Sequence, residues 1–243
     1  MAGLVTVEGR VADKPGRRIK PGMAVEVRHR VHPYVGRGGM KLAHALAAFG
    51  VDVRGRVAVD LGASTGGFTD CLLQGGARRV YAVDVGHGQL AWSLRTDPRV
   101  VCLEGVNARR IAPDQVGGPR DIVTVDLAFI SLRLVWRAIA SLVAAGGVVI
   151  ALVKPQFEAG RDRVGRGGVV RDPAVHREVL RDVLGAAGTV GLVARGITPS
   201  PVTGQAGNVE YLVCLRTSGP GLTTAELDAA VGAAHGGALR ERP

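Results

Sequence analysis

The chain has 243 residues, 47% hydrophobic but only 4% aromatic, and carries a net charge of +10. That length supports one sizeable core, or a main domain with a small appendage, filled mostly by Val, Leu, Ala and Ile. The longest uncharged run, Ala138–Val153, is 16 residues and is broken by Gly146-Gly147, short of the roughly 20 apolar residues that span a bilayer, so stable membrane insertion is not expected.

Three scattered cysteines, Cys71, Cys102 and Cys214, form no CxxC pair. They fit buried thiols in the reducing cytoplasm rather than disulfides or zinc, and no metal is expected. The start of the chain lacks a charged-then-apolar signal pattern. Residues 1–41 hold nine Lys or Arg, among them Arg18 and Lys20, against three acids. A basic end on a nearly balanced body points to a polyanion, with nucleic acid ahead of a membrane surface.

In chain order, "LVTVEGRVADKPGRRIKPGMAVEVRHR" (4–30) alternates apolar and polar residues and predicts short strands joined by turns. "GGMKLAHALAAFG" (38–50) has helical spacing, with Gly50 closing it. Buried parallel strands are then expected at 56–62, 79–86, 99–105, 121–128 and 147–155. Helices are expected near 66–75, 88–95, 131–145 and 172–187, the third followed by a Gly-Gly turn. Strands at 190–197 and 209–216 close the sheet. A last helix at 223–236 has Thr223 and Glu226 at capping-box spacing. Strands alternating with helices imply an open α/β sheet covered on both faces.

The first of these strands runs into "DLGASTGGFTD" (60–70). Gly62 permits a sharp turn with a ligand close to the backbone, and Gly66 and Gly67 open a helix whose N–H groups can face an anionic group. The spacing is neither the G-x-G-x-x-G of dinucleotide binders nor a P-loop. It resembles the first motif of S-adenosylmethionine-dependent methyltransferases. On that resemblance Asp60, Gly62, Ala63, Ser64, Gly66, Gly67 and Phe68 hold the cofactor, with Asp60 near its methionine amino group. Asp84, with Val85 beside it, ends the next strand and is placed for the ribose hydroxyls. Asn107 is a candidate for the adenine edge, and Asp126 flanks the donor end.

"VVIALVKPQFE" (148–158) ends a buried strand on Lys154. A snorkelling lysine at a strand end is common, but Asp126 ends the neighbouring strand in "VTVDLAFISL". Lys41 lies on the helix before the first sheet strand, and Glu210 begins the last strand. Two lysines and two acids therefore converge on one sheet edge. "YVGRGGMKL", "DLGASTGGFTD", "YAVDVGHGQLAW", "VTVDLAFISL", "LVKPQFE", "RGGVVRDPAVHREV" and "SPVTGQAGNVEYL" together resemble the TlyA family, bacterial proteins sometimes labelled hemolysins and similar to FtsJ-type ribose methyltransferases.

The resemblance implies a Rossmann-like seven-stranded methyltransferase fold and S-adenosylmethionine as cofactor. The implied activity is 2′-O-methylation of cytidine in ribosomal RNA of the small, and often the large, ribosomal subunit. It puts a catalytic tetrad on Lys41, Asp126, Lys154 and Glu210. A ribose 2′-hydroxyl is a poor nucleophile, so catalysis must align it with the methyl group and manage one proton. Lys154 is expected either to steer and deprotonate the hydroxyl or to stabilise its developing charge. The loop "GRDRVGRGGVVRDP" (160–173), with Arg163, Arg166 and Arg171, and Arg37 beside Lys41, are expected to touch RNA phosphates or to be plain surface.

TlyA proteins carry an N-terminal S4 RNA-binding domain. Residues 1–30 resemble only its strand-rich closing part and residues 31–243 the methyltransferase domain, so weakened RNA affinity is expected. The alternatives are a non-catalytic RNA-binding, ribosome-associated factor on this fold, and the pore-forming protein that the hemolysin label suggests.

Overall fold

The computed structural model describes residues 5–12, 17–27 and 32–236. Near the start, β1 (Val5–Val7), β2 (Arg10–Val11) and β3 (Val25–Val27) form a small antiparallel sheet in the order β2-β1-β3. Arg18 and Lys20 are exposed in its β2–β3 connection. The expected domain boundary near residue 30 lies outside the described residues.

The main body runs α1 (Gly38–Phe49), β4 (Val57–Leu61), α2 (Gly67–Gln74), β5 (Arg79–Val83), α3 (Trp92–Arg95), β6 (Val100–Leu103) and β7 (Arg120–Val125). It continues through α4 (Trp136–Leu142), β8 (Val143–Val153), α5 (Pro155–Glu158), α6 (Pro173–Gly188), β9 (Val193–Pro199), β10 (Tyr211–Arg216) and α7 (Thr224–Gly236). Seven strands pair in the order β6-β5-β4-β7-β8-β10-β9. The links from β6 through to β8 are parallel, and β10 is antiparallel to both its neighbours. The order reverses between β4 and β7, which opens a crevice beyond their carboxyl ends.

Side-chain alternation sorts the strands into two cores. Val59, Leu61, Val123 and Val149 face α4 and α6, where Trp136, Ile139 and Leu180 are buried. Ala58, Val80, Ile122 and Ile150 face α1 and α2, with Leu42 and Leu72. The indole N–H of Trp136 donates to the Val183 carbonyl at 3.0 Å, so even this large ring leaves no orphan donor. Cys71 and Cys214 are buried and Cys102 half-buried, all as free thiols. Among the described residues no helix is long and apolar enough to cross a membrane.

One expected boundary is corrected. The helix thought to reach residue 145 stops at Leu142, and the glycine pair is not a turn between elements. Val143 already pairs with Arg120, whereas Val148 pairs with Ile122, so Ala144–Gly147 form a bulge inside β8. Alanines that favour a helix are overridden by strand pairing on both sides of them.

Asp60 shares the α1/α2 face with Ala58 and is fully buried beneath α2. The Thr69 hydroxyl donates to Oδ2 at 2.7 Å and the Thr124 hydroxyl to Oδ1 at 2.9 Å. Burial outweighs these bonds and pushes its carboxyl from 3.8 up to about 7, with the Asp126 charge adding to the rise. A carboxyl raised on folding contributes stability that is complete below its unfolded value and is lost as pH rises through its folded one. Asp60→Asn keeps the size and cannot ionise. Between pH 5 and 8 its denaturant-derived stability should therefore fall less than that of the wild type, by up to about 3 kcal/mol; parallel pH profiles would show that Asp60 carries no such penalty.

Candidate active site

Two adjoining cavities open at the crevice between β4 and β7. One, of about 340 Å³, is lined by Arg37, Lys41, Phe68, Asp126, Lys154 and Glu210 among others. The second, of about 400 Å³, is lined by Asp84, Val85, Gln89, Asn107 and Ile130 among others. Gly62, Ser64, Asp126, Ala128 and Phe129 line both, so the two are halves of one elongated cleft.

The cleft exists because the β4 and β7 ends approach closely. Gly62 has φ +85, and a Cβ there would strike the Asp126 carbonyl oxygen. Beyond it, the Ser64 backbone N–H donates to Asp84 Oδ2 at 2.8 Å, and the Gly86 N–H donates to Oδ1 at 2.7 Å. Asp84 is thereby fixed at the wall of the second half, where each oxygen keeps a further lone pair for a ligand hydroxyl. Asn107, on the same wall, accepts from the Arg109 N–H at 2.9 Å through its side-chain oxygen.

The four tetrad candidates meet in the first half. Lys154 Nζ lies 2.6 Å from Asp126 Oδ1. The contact is a close ion pair without hydrogen-bond alignment, since Oδ1 makes no such bond among the described residues. Lys41 Nζ donates to Glu210 Oε2 at 2.5 Å, and both residues are buried. Each lysine thus faces a carboxylate rather than the other lysine, a condition for holding charges away from water. Glu210 is seated by Gly204, whose Cβ would overlap its carboxylate.

Two clamps hold the loops that carry these groups. Buried Glu158, on α5 after Lys154, accepts from the Ser131 hydroxyl at 2.6 Å and from the Leu132 N–H at 2.7 Å. Burial raises its pKa, and those two bonds oppose the rise. It ties the loop after β8 to the loop after β7. The end of the basic loop is anchored: Asn208 accepts from the Val170 N–H at 3.2 Å and donates to the Gly168 carbonyl at 2.9 Å. His176, on α6, lies 3.0 Å from the Val170 carbonyl and 2.9 Å from the Tyr211 hydroxyl.

The sequence-predicted residues divide as follows. Lys41, Asp126, Lys154, Glu210, Gly62, Ala63, Ser64, Gly67 and Phe68 line the first half, and Asp84, Val85 and Asn107 the second. Asp60 and Gly66 line neither. Arg37 is exposed at the rim of the first half, and Arg166 and Arg171 are exposed on the basic loop. Arg163 is already engaged, with Glu178 at 2.5 Å and the Ala159 carbonyl at 2.8 Å. Sequence reasoning passed over Phe129, Gln156 and Phe157. Phe129 is 89% exposed with φ +62 and stacks near Phe157, with ring centroids 5.1 Å apart. A large apolar residue three positions after a strand-end acid, in the loop that follows β7, was the available signal. Among the described residues no group of three or more His, Cys, Asp or Glu side chains could hold a metal ion.

Residues 34–217 match the FtsJ-like methyltransferase family. The chain belongs to that family. The methyltransferase is 46% identical over 217 residues to the 16S/23S rRNA (cytidine-2′-O)-methyltransferase TlyA of Mycobacterium tuberculosis, across 89% of this chain and 81% of that one. Among solved structures it resembles a Streptococcus thermophilus protein given a provisional hemolysin name, at 42% identity and TM-score 0.85, covering 99% of this chain and 89% of the other. An S-adenosylmethionine-dependent methyltransferase from Mesorhizobium loti, 17% identical with TM-score 0.54 over 74% of this chain and all of that one, shares the fold.

Gly204 has an ordinary backbone conformation, φ −67, so a methyl group there acts only by displacing the Glu210 carboxylate. Gly204→Ala should lower methyl transfer by about ten-fold or more and destabilise the fold by about 1–3 kcal/mol. Unchanged turnover, measured with the melting curve, would mean that the Lys41–Glu210 pair tolerates displacement.

Proposed function

We propose that this methyltransferase moves the methyl group of S-adenosylmethionine to the ribose 2′-hydroxyl of a cytidine in ribosomal RNA of the small and the large subunit. The observation that carries the reading is the pair of lysine–carboxylate contacts, Lys154–Asp126 and Lys41–Glu210, side by side in one half of a cleft. The other half, with Asp84 and Asn107 on its wall, suits a nucleoside. The relative named for this reaction on 16S and 23S rRNA matches across most of the chain.

The residues fit the cofactor. Gly62 lets the backbone approach it closely, the Asp84 oxygens can accept from ribose hydroxyls, and Asn107 is at hand for the adenine edge. When bound, the cofactor supplies a sulfonium-borne methyl as electrophile. The chain's own groups act on the nucleophile. Lys154 donates to the 2′-oxygen, holds it in line, and stabilises the negative charge that develops as the hydroxyl proton passes to solvent water. Asp126 fixes the Lys154 ammonium at the junction of the two halves. Lys41 and Glu210 form the wall that aligns the ribose.

Arg37, Arg166, Arg171, Arg18 and Lys20 supply cations for RNA phosphates, with residues 1–30 as a partial S4-like RNA-binding segment ahead of the methyltransferase domain at 31–243. Ribosomal RNA as target assigns the work to the cytoplasm. A non-catalytic RNA-binding role would leave two lysine–carboxylate ion pairs at a cofactor-sized cleft without use.

Lys154→Met should reduce methyl transfer to 30S or 50S particles by about 10³-fold or more. S-adenosylmethionine affinity, by calorimetry, should stay within several-fold. Near wild-type transfer would remove Lys154 from the chemistry, and loss of cofactor binding instead would reassign it to the donor half.

A further inference from the structure

The wall of the first half holds a polar atom that the four charged residues do not use. Gln156 follows Lys154 by two residues, on α5. Its amide nitrogen donates to Glu210 Oε1 at 3.3 Å. Glu210, already paired with the Lys41 ammonium through Oε2, offers acceptors. The amide must therefore point its N–H toward Glu210 and its oxygen the other way. That oxygen, Oε1, is buried and has no hydrogen-bond partner among the described residues. A buried acceptor left unpaired is costly, and in a native site it marks a missing donor.

The missing donor must be a group that the site takes in. Gln156 lines the half holding the lysine–carboxylate pairs, not the half holding Asp84 and Asn107, so the cofactor's nucleoside is not the donor, and the substrate entering beside Lys154 and Glu210 is the candidate. Transfer itself requires nothing of the base, since every ribonucleotide carries a 2′-hydroxyl. An acceptor facing the exocyclic amine selects cytidine, because uracil presents an oxygen at that position. Phe157, next to Gln156, and Phe129 bring aromatic rings to the same cavity, the surroundings in which an extruded base is held and its edge read.

We infer that Gln156 is a specificity-determining residue whose side-chain oxygen accepts a hydrogen bond from the exocyclic amine of the target cytosine. The inference rests on the reading of the chain as an RNA ribose methyltransferase. Lys154 would handle the reacting hydroxyl, and Gln156 would admit the base attached to it.

The test compares the full chain with its Gln156→Leu and Gln156→Glu variants. Each is assayed for methyl transfer to ribosomal particles whose target position is cytidine or, by mutation, uridine. S-adenosylmethionine affinity is measured alongside. The wild type should prefer cytidine by about 10- to 100-fold in kcat/KM, and Gln156→Leu should lose most of that preference while binding the cofactor normally. In Gln156→Glu the two neighbouring carboxyls disfavour joint ionisation. A protonated Glu can then donate to Glu210 and still present a carbonyl oxygen, so cytidine preference should return more fully at pH 6 than at pH 8.

An equal loss on both nucleotides in Gln156→Leu would place the oxygen on the ribose and overturn the base-reading role. Unchanged discrimination, or a change only in cofactor affinity, would overturn it as well. A wild type that methylates no RNA particle, yet binds the cofactor, would refute the underlying reading and not the role of Gln156 within it.

Discussion

The contact between the Lys154 ammonium and the Asp126 carboxylate is made by two strands that end side by side, and the arrangement of the cleft depends on it. Each group is largely withdrawn from water, a state that is unfavourable unless opposite charges meet. Meeting there requires β7 and β8 to be neighbours, in parallel, with their carboxyl ends at the same edge. The Lys41–Glu210 pair repeats the solution with a helix and the antiparallel strand, so neither lysine is left facing the other. Charges that would otherwise oppose folding become a fixed field inside the first half of the cleft.

That field is supported from outside the cleft. Glu158 binds the loop after β7 to the loop after β8, so the carriers of Asp126 and Lys154 move together. On the far side, Asn208 and His176 fasten the end of the basic loop to β10 and to the segment just before it, which carries Glu210. The Val170 carbonyl can only accept, so His176 Nε2 carries the proton and Nδ1 is left to accept from Tyr211. Burial lowers the His176 pKa and raises that of Tyr211, consistent with a neutral pair.

Strand positions, sheet class and the convergence of the four charged residues were legible in the sequence because they follow from period-2 burial and from strand ends marked by Asp, Lys and Pro. What was not legible depended on partners distant in sequence. Asp60 looked like a ligand group because it precedes a glycine-rich turn. Only the fold shows Thr69 and Thr124 closing over both its oxygens. Ala144 and Ala145 read as helix until Val143 is seen paired with Arg120. Gln156 had no signal at all, since an amide becomes informative only when its neighbour, here Glu210 from 54 residues away, decides which way it points.

The central claim is that Lys154 and Asp126 act as one unit on the reacting hydroxyl. A double-mutant cycle of Lys154→Met and Asp126→Asn, read by single-turnover methyl transfer with cofactor saturating, tests it most directly. If the pair is a unit, the double variant is about as slow as the worse single variant, because the second change removes nothing that is left. If the two losses simply multiply, the residues act independently, and the ion pair is a structural contact beside the chemistry rather than the device that performs it.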